Sequence, residues 1–169
     1  MSYLILREIG KIARCLQTIS DVEFREIGLE KGQYLFLVRI CENPGINQEV
    51  LSNLLNVDRT TTAKAIKKLV EKEYVIKRHN EKDKRAYELY PSEKASQIHL
   101  ILKSEEELST ENSLNGFSEE EVDILFTLLE RMRKNIEKDW EYVKKEIKET
   151  IQTNRGGSYM EWKLKNMRN

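Results

Sequence analysis

Two short helical segments joined by a tight turn constrain the fold of this chain more than any other feature. Asn47 can cap a first helix from Gln48 to Leu55, and Asp58 is a strong N-cap candidate for the next one. Between them, Asn56 fits the left-handed conformation in which helices often end. Two helices joined by so short a turn predict a helix-turn-helix. The residues expected to turn inward on the first helix are Val50, Leu51, Leu54 and Leu55.

The second helix of this pair starts with the threonines Thr60 to Thr62, although threonine is less favourable than alanine in a helix interior by up to about 0.7 kcal/mol. A helical wheel divides this helix into an inward side, with Thr62, Ala63, Ile66, Leu69, Val70 and Glu73, and an outward side, with Thr60, Thr61, Lys64, Lys68 and Glu71. Threonine hydroxyls and lysine ammonium groups can donate to phosphates or base edges. The pattern therefore favours a recognition helix. The alternative is that the threonines only begin a helix that Asp58 caps.

A polar loop between two alternating segments follows that helix. Val75–Arg78 and Arg85–Tyr90 alternate as strands, and the residues between them, His79–Lys84, are all polar. The basic residues of this loop and its edge are Lys82, Lys84 and Arg85. Beside a helix-turn-helix such a hairpin is a candidate wing, in which Arg85 can enter a narrow minor groove and Asp83 can hold its guanidinium by a charge-assisted hydrogen bond. A solvated hairpin without a partner is the alternative.

The charge of the chain is polarised, although its formal net charge is zero. Residues 59–85 contain ten basic and four acidic residues, whereas residues 93–123 contain nine acidic and two basic residues. Sign asymmetry of this kind suggests an electrostatic face for a charged partner. A solvated surface remains the plainer explanation of each run taken alone.

Long amphipathic helices are expected on either side of these elements. Ser92 can cap a helix that runs to about Leu108, Ser118 and Glu121 form a capping box for the last helix, and a helix from about Glu30 should end before Pro44. Apolar residues recur at spacings of three and four in the first helix (Ile5, Ile9, Ile12, Leu16, Ile19) and in the last (Val122, Leu125, Leu129, Met132, Ile136). Such narrow seams often pack on another helix, which can belong to a partner subunit.

Four landmarks, in their order and spacing, resemble those of the multiple-antibiotic-resistance regulator (MarR) family: Leu29–Tyr34, Asn43–Ile46, Val57–Thr61 and Asp83–Arg85. The resemblance covers roughly residues 5–145. It implies a mainly α (α+β) fold, a winged helix-turn-helix domain with a two-stranded β wing between N- and C-terminal dimerisation helices. The implied division is 1–28 (N-terminal dimerisation helix), 29–91 (DNA-binding lobe), 92–149 (C-terminal dimerisation helices) and 150–169 (tail). Ala95 departs from the family pattern, because a glycine is common there, and the tail exceeds the usual length.

The resemblance implies a homodimeric regulator, most simply a repressor, that binds a palindromic double-stranded DNA operator. A small phenolic or amphipathic molecule, or an oxidative signal, would release it. The candidate DNA-binding residues are Asn47, Arg59, Thr60, Thr61, Lys64, Lys68, Lys82, Asp83, Lys84 and Arg85. The candidate dimer interface consists of Ile5, Ile9, Ile12, Leu16, Val122, Leu125, Leu129 and Met132, and the candidate effector residues are Arg14, Cys15, Tyr34 and Arg39. Exposed helix arginines and a small buried Cys15 thiol are the plainer interpretations of that last set.

Other classes of protein have less support in the sequence. No glycine-rich phosphate loop, nucleophile motif or metal-ligand spacing is present, so we expect no enzyme, metal or cofactor. No apolar run approaches the length of about 20 residues that spans a bilayer, and no signal peptide is predicted. The two cysteines suit a reducing cytoplasm. A winged-helix module that binds proteins rather than DNA is the main alternative.

Overall fold

The computed structural model describes residues 2–30, 32–80 and 86–153, with side chains described from residue 4 to residue 145 within these ranges. Helices dominate, and a small antiparallel sheet accompanies them, which confirms the predicted mainly α class. The chain divides into two compact units, with the boundary between residues 113 and 114. The elements are α1 (Ser2–Glu23), α2 (Gln33–Glu42), β1 (Ile46–Asn47), α3 (Gln48–Leu54), α4 (Arg59–Glu71), β2 (Val75–His79), β3 (Tyr87–Pro91), α5 (Glu93–Ser113) and α6 (Glu119–Thr153).

The predicted hairpin is present, but it belongs to a sheet of three strands. The strand order is β1-β3-β2, and both pairings are antiparallel. Strand β1, which the sequence did not predict, pairs Ile46 with Leu89, and the N–H of Gly45 donates to the Leu89 carbonyl at 2.8 Å. Two residues are too short to show an alternating pattern, so this strand had no signal of its own.

Polar side chains begin the helices where the sequence predicted them. The Asn47 side chain accepts the Val50 N–H at 2.8 Å, the Asp58 side chain accepts the Thr61 N–H at 2.9 Å, and Ser92 Oγ accepts the Ala95 N–H at 3.2 Å. Ser118 and Glu121 complete a reciprocal capping box, with bonds of 2.9 and 3.3 Å. Asn56 has φ of 51°, which confirms the left-handed end of the first helix of the pair.

Two predicted helix boundaries were wrong. Helix α2 begins at Gln33 rather than Glu30, because Gly32, at φ of 72°, interrupts the helical conformation just before it. Helix α5 continues to Ser113 instead of ending near Leu108. The division of the chain at residue 92 into a DNA-binding lobe and dimerisation helices stays a prediction; α5 belongs to the first compact unit.

The core of the first unit draws on α2, α3, α4, the sheet and α5. Its most deeply buried apolar side chains are Leu29, Leu37, Ile40, Leu51, Leu69, Leu89, Ala95 and Leu102, each with an exposed fraction of 0–1%. The predicted inward faces were too wide, because Val50, Leu54, Ala63, Val70 and Glu73 are exposed. Helix α4 meets the core only along Thr62, Ile66 and Leu69, a strip spaced at i, i+4 and i+7.

The apolar side chains of α1 are largely exposed within this single chain. Ile5, Ile12 and Ile19 have exposed fractions of 49%, 55% and 46%, and Ile9 and Leu16 are half-buried. Helix α6, considered by itself, exposes Ile124, Phe126, Leu128, Leu129 and Ile136, whereas Val122, Leu125 and Met132 are half-buried. None of the described helices combines the length and the apolar character needed to cross a membrane.

Candidate nucleic-acid interface

The turn between α3 and α4 is fixed by a reciprocal pair of hydrogen bonds. The Val57 N–H donates to the Ser52 carbonyl at 3.0 Å, and the Ser52 hydroxyl donates to the Val57 carbonyl at 2.6 Å. Ser52 is completely buried, so its hydroxyl needs this partner. Together with the left-handed Asn56, these bonds fix the angle at which α4 leaves α3.

The first turn of α4 gives its threonines different roles. The carboxylate of Asp58 accepts both the N–H of Thr61 and its hydroxyl, the latter at 2.5 Å. Thr62 is buried, as the sequence predicted, and its hydroxyl donates to the Asp58 carbonyl at 2.9 Å. Thr60 and Thr61 are exposed, as predicted. Capping therefore explains why position 61 carries a hydroxyl group. It does not explain the threonine at position 60.

The same bonds lower the pKa of Asp58. The hydroxyl of Thr61 makes the largest contribution and its N–H the next, since both stabilise the charged carboxylate. Asp58 therefore stays ionised at neutral pH, when its negative charge lies at the N-terminus of α4 and interacts favourably with the helix dipole.

One side of α4 presents a polar row to the solvent. Thr60, Lys64 and Lys68 lie four residues apart along it, and all three are exposed. Lys67 lies beside the row and is 3.8 Å from Glu71. Because the buried strip of Thr62, Ile66 and Leu69 faces the other way, the whole row is accessible to a partner that approaches the helix from outside.

Arg59 has a partner that the sequence did not reveal. Its guanidinium forms an ion pair with the carboxylate of Glu49 on α3, and both side chains are exposed. The two residues are ten positions apart, and only the angle of the turn brings them together. The predicted DNA contact of Arg59 would therefore compete with Glu49, or would use the guanidinium N–H groups that the ion pair leaves available.

The far end of α4 is anchored to the segment that joins α1 and α2. The ammonium group of Lys72 donates to the Gly28 carbonyl at 2.5 Å, and the hydroxyl of Tyr74 donates to the Ile27 carbonyl. The ammonium group of Lys94 lies 4.2 Å from the centre of the Tyr74 ring. Sequence reasoning missed these residues, because nothing in their spacing links them to a segment more than forty positions away.

The described part of the wing carries cations on both of its faces. Lys77 Nζ lies 4.0 Å from the centre of the Tyr87 ring, and the Arg78 guanidinium lies 4.9 Å from the centre of the Tyr90 ring. The His79 ring also contacts the Tyr87 ring, with 4.3 Å between their centres. The predicted wing residues Lys82, Asp83, Lys84 and Arg85 lie outside the described residues.

An open cleft separates the start of α3 from the wing. Its volume is about 300 Å³, and its described lining consists of Asn47, Gln48, Glu49, Lys77, Ala86, Tyr87 and Leu89. Asn47 was predicted as a DNA-binding residue, whereas Lys77 and Tyr87 were not. A lysine in the middle of a predicted strand, Lys77, was the sequence signal that could have pointed to this cleft.

Comparison with known proteins identifies the family. The MarR family model matches residues 29–87. The uncharacterised HTH-type transcriptional regulator YybA of Bacillus subtilis is 53% identical over 141 residues, which are 83% of this chain and 94% of that relative. This chain belongs to the MarR family.

Solved structures extend the match to the fold. The transcriptional regulator SlyA has a TM-score of 0.80 at 47% identity, over 82% of this chain and 98% of that one. A Listeria monocytogenes regulator assigned to the MarR family, solved with a 26mer DNA, has a TM-score of 0.81 at 46% identity, over 83% of this chain and 93% of that one. The protein is thus a MarR-family transcriptional regulator with a winged helix-turn-helix, and its relatives are regulators rather than enzymes.

The four residues considered for an effector site of this MarR-family chain have different surroundings. Arg14 and Cys15 are exposed on α1, so the interpretation of Cys15 as a buried thiol was wrong: none of the described residues covers the side of α1 that carries it. Tyr34 is half-buried against Phe24, with 5.2 Å between ring centres. Arg39 pairs with Glu42 at 2.7 Å and with Glu106 at 3.0 Å. Their joint role stays a prediction.

The second cysteine is not a reactive thiol. Burial raises the pKa of Cys41 to about 11, and the neighbouring Glu42 carboxylate adds to this rise. A thiol reacts as the thiolate, so Cys41 is almost entirely in its unreactive form at neutral pH. Any thiol chemistry of the native protein would therefore use Cys15, which is exposed.

Proposed function

We propose that this MarR-family protein is a homodimeric repressor that binds a palindromic double-stranded operator and is released by a small-molecule or oxidative signal. One observation carries the proposal. The exposed row of Thr60, Lys64 and Lys68 runs along the side of α4 opposite its buried strip. A recognition helix needs such a face, because its first turns contact base edges in the major groove.

The DNA-binding residues divide by the chemistry that each can perform. Thr60 and Lys64 lie early in α4 and are proposed to read base edges, since a hydroxyl and an ammonium group both donate hydrogen bonds. Thr61 would reach the DNA through its methyl group, because its hydroxyl is bound to Asp58. The proposed phosphate contacts are Asn47, Arg59, Lys68, Lys82 and Lys84. Arg85, held by Asp83, is proposed to enter the minor groove.

The exposed apolar seam of α1 supports the homodimer. Ile5 and Ile12 have exposed fractions of 49% and 55%, and burying such side chains would contribute about 25 cal/mol for each Å² removed from water. The proposed interface consists of Ile5, Ile9, Ile12, Leu16, Val122, Leu125, Leu129 and Met132. A two-fold dimer binds two half-sites whose centres are about 10 base pairs apart, and the operator is then an inverted repeat.

Release of the operator is proposed to follow a signal at the helices around α1 and α2. Arg14, Tyr34 and Arg39 offer the cationic and aromatic groups that a phenolic or amphipathic anion would need, and the exposed Cys15 offers a thiol for an oxidant. Repression is the simplest consequence of operator binding, because a bound dimer excludes other proteins from the same DNA. The proposed regulator would act in the cytoplasm.

Fluorescence anisotropy with labelled duplexes tests the proposal. We expect the wild-type protein to bind its operator with an affinity that falls steeply between 50 and 200 mM salt, through the release of counterions. Lys64→Ala and Arg85→Ala should each weaken operator binding by about 1–3 kcal/mol, or roughly 5- to 150-fold. Lys134→Ala removes an exposed lysine that pairs with Glu130 on α6 and should leave the affinity unchanged.

Two results would contradict the proposal. Wild-type affinity in both Lys64→Ala and Arg85→Ala would remove the assigned DNA surface. Failure of the folded wild-type protein to retain any duplex from a random pool, together with salt-insensitive capture of a protein partner, would favour the protein-interaction module instead.

A further inference from the structure

The strand β2 carries the exposed cation Lys77 on the same face as its buried first residue, Val75. Val75, Lys77 and His79 share one face of the strand, and Val75, with an exposed fraction of 3%, points into the core. Lys77 pairs directly with Leu89 of β3, which is 1% exposed. Lys77 thus shares a face of the sheet with Leu89, but its own side chain is exposed and lines the open cleft beside α3.

The neighbouring aromatic ring holds the lysine in place. The Lys77 ammonium group lies 4.0 Å from the centre of the Tyr87 ring, a distance at which the ring attracts the cation. The His79 ring lies 4.3 Å from the same centre. Tyr87 is 39% exposed, and both neighbours lie against its ring. It acts as a support that fixes the position of the ammonium group.

The cleft itself has the charge and the size for one backbone phosphate. Its volume is about 300 Å³, and Asn47 and Gln48 add polar side chains to its wall. Among the described lining residues the acid is Glu49, and its charge is offset by the ion pair with Arg59. Lys77 therefore sets the sign of the potential in the cleft, and an anion is the ligand that this potential favours.

We propose that the cleft between α3 and the wing holds a phosphate of the DNA backbone, bound by Lys77 on its Tyr87 support. This inference rests on the proposed DNA-binding function, and it adds a contact between those of α4 and those of the wing tip. The cleft lies between the start of α3 and the wing, and the proposed path of the DNA backbone crosses it there. Lys77 contributes affinity and position but no sequence preference.

The lysine has a plainer explanation, since β2 is an edge strand of the sheet. Charged side chains on edge strands, lysine especially, discourage strands of other molecules from pairing with them. That explanation predicts loss of solubility when the lysine is removed, and no change in DNA binding by the molecules that stay soluble. The two explanations therefore differ in their measurable outcomes.

The test compares Lys77→Gln with Lys103→Gln, which removes the same charge from an exposed position on α5, paired with Glu107 at 3.7 Å. Anisotropy titrations use the selected operator and an unrelated duplex of equal length, at several salt concentrations. We expect Lys77→Gln to weaken binding to both duplexes by the same factor, about eightfold for each half-site at 0.1 M salt. The salt slope should become shallower by about 0.9 for each half-site, and Lys103→Gln should match the wild type.

Variants of Tyr87 separate the effect of positioning the Lys77 ammonium group from the effect of its charge. Tyr87→Phe keeps the ring and should bind both duplexes like the wild type, whereas Tyr87→Leu should lose part of the affinity that Lys77→Gln loses. An unchanged salt slope in Lys77→Gln overturns the inference, and so does a loss of solubility with wild-type binding in the soluble fraction. If Lys64→Ala loses the operator preference while Lys77→Gln binds like the wild type, the proposed function stands and only the phosphate site fails. If the wild type itself binds neither duplex, both fail.

Discussion

The helix-turn-helix region and helix α1 differ in how far their apolar side chains are buried. In the first region, α4 directs Ile66 and Leu69 into the core, with exposed fractions of 3% and 0%. Helix α1 instead leaves Ile5, Ile12 and Ile19 about half exposed. A regular apolar seam that stays half exposed among the described residues is typical of an interaction surface. The comparison teaches that α4 buries its apolar strip within the chain, whereas the seam of α1 is left exposed for the proposed partner subunit.

The largest effect of the series is expected on α1, where Ile12→Glu should weaken the proposed dimer. A carboxylate buried without a partner in the proposed dimer interface is destabilising by about 3–5 kcal/mol, so the dimer dissociation constant should rise at least about 100-fold. Sedimentation equilibrium measures it. Val50→Glu is the matched control, because Val50 is 50% exposed on α3. A monomeric wild type, or an I12E variant that stays dimeric, would contradict the assigned interface.

Leu69→Ala tests how tightly α4 packs in the core of the helix-turn-helix region. Leu69 is fully buried, and loss of its side chain leaves a cavity that should lower the free energy of unfolding by about 2–5 kcal/mol. The next residue, Val70, is 36% exposed; Val70→Ala should lose less than about 1 kcal/mol, because alanine is the better helix former. Urea denaturation at a fixed protomer concentration measures both. Equal losses would show that α4 does not pack as described.

A smaller effect is expected from the cap of α4. Asp58→Ala removes the acceptor of the Thr61 N–H and hydroxyl and should lower the free energy of unfolding by about 0.5–2 kcal/mol at pH 7, whereas Asp58→Asn should retain most of it. The folded-state pKa of Asp58 is lowered, so its ionised form stabilises the protein above the ordinary aspartate pKa of about 3.9. That contribution is lost as the pH falls through the folded-state pKa. A penalty in Asp58→Ala that grows toward low pH would contradict the cap.

The smallest effect on stability should come from Thr60, and it should have the opposite sign. Thr60→Ala is expected to raise the free energy of unfolding by up to about 0.7 kcal/mol, since alanine is the better helix former, while it lowers the preference for operator over unrelated DNA. Thr61→Ala should instead reduce stability, because the Thr61 hydroxyl is bound to Asp58. Thermal unfolding and competition binding measure the two effects. The division of roles fails if the two variants behave alike.

The features of this structure that depend on a few adjacent residues could be predicted from the sequence. Asn47, Asp58, Ser92 and the box at Ser118 begin their helices because a cap depends on a few adjacent residues. The turn conformation of Asn56 and the inward position of Thr62 follow for the same reason. These elements also place the outward row of α4, so most of the described part of the candidate site was within reach of sequence reasoning.

Features that depend on tertiary contacts could not be predicted. The wheel overestimated the buried faces of α3 and α4, because it cannot tell that the core contacts α4 only along a narrow strip. The ion pair of Arg59 with Glu49 depends on the angle of the turn. The support of Lys77 by Tyr87 depends on the register between β2 and β3. None of these three features is encoded in local spacing, and all three lie at the proposed DNA-binding surface.

Selection of operators from a pool of random duplexes by the purified full chain tests the central claim most directly. The account predicts enrichment of an inverted repeat with half-site centres about 10 base pairs apart, and loss of that enrichment in a Thr60→Ala, Lys64→Ala double variant that remains folded and dimeric. Recovery of unrelated sequences without symmetry by the folded, dimeric wild-type protein would contradict it.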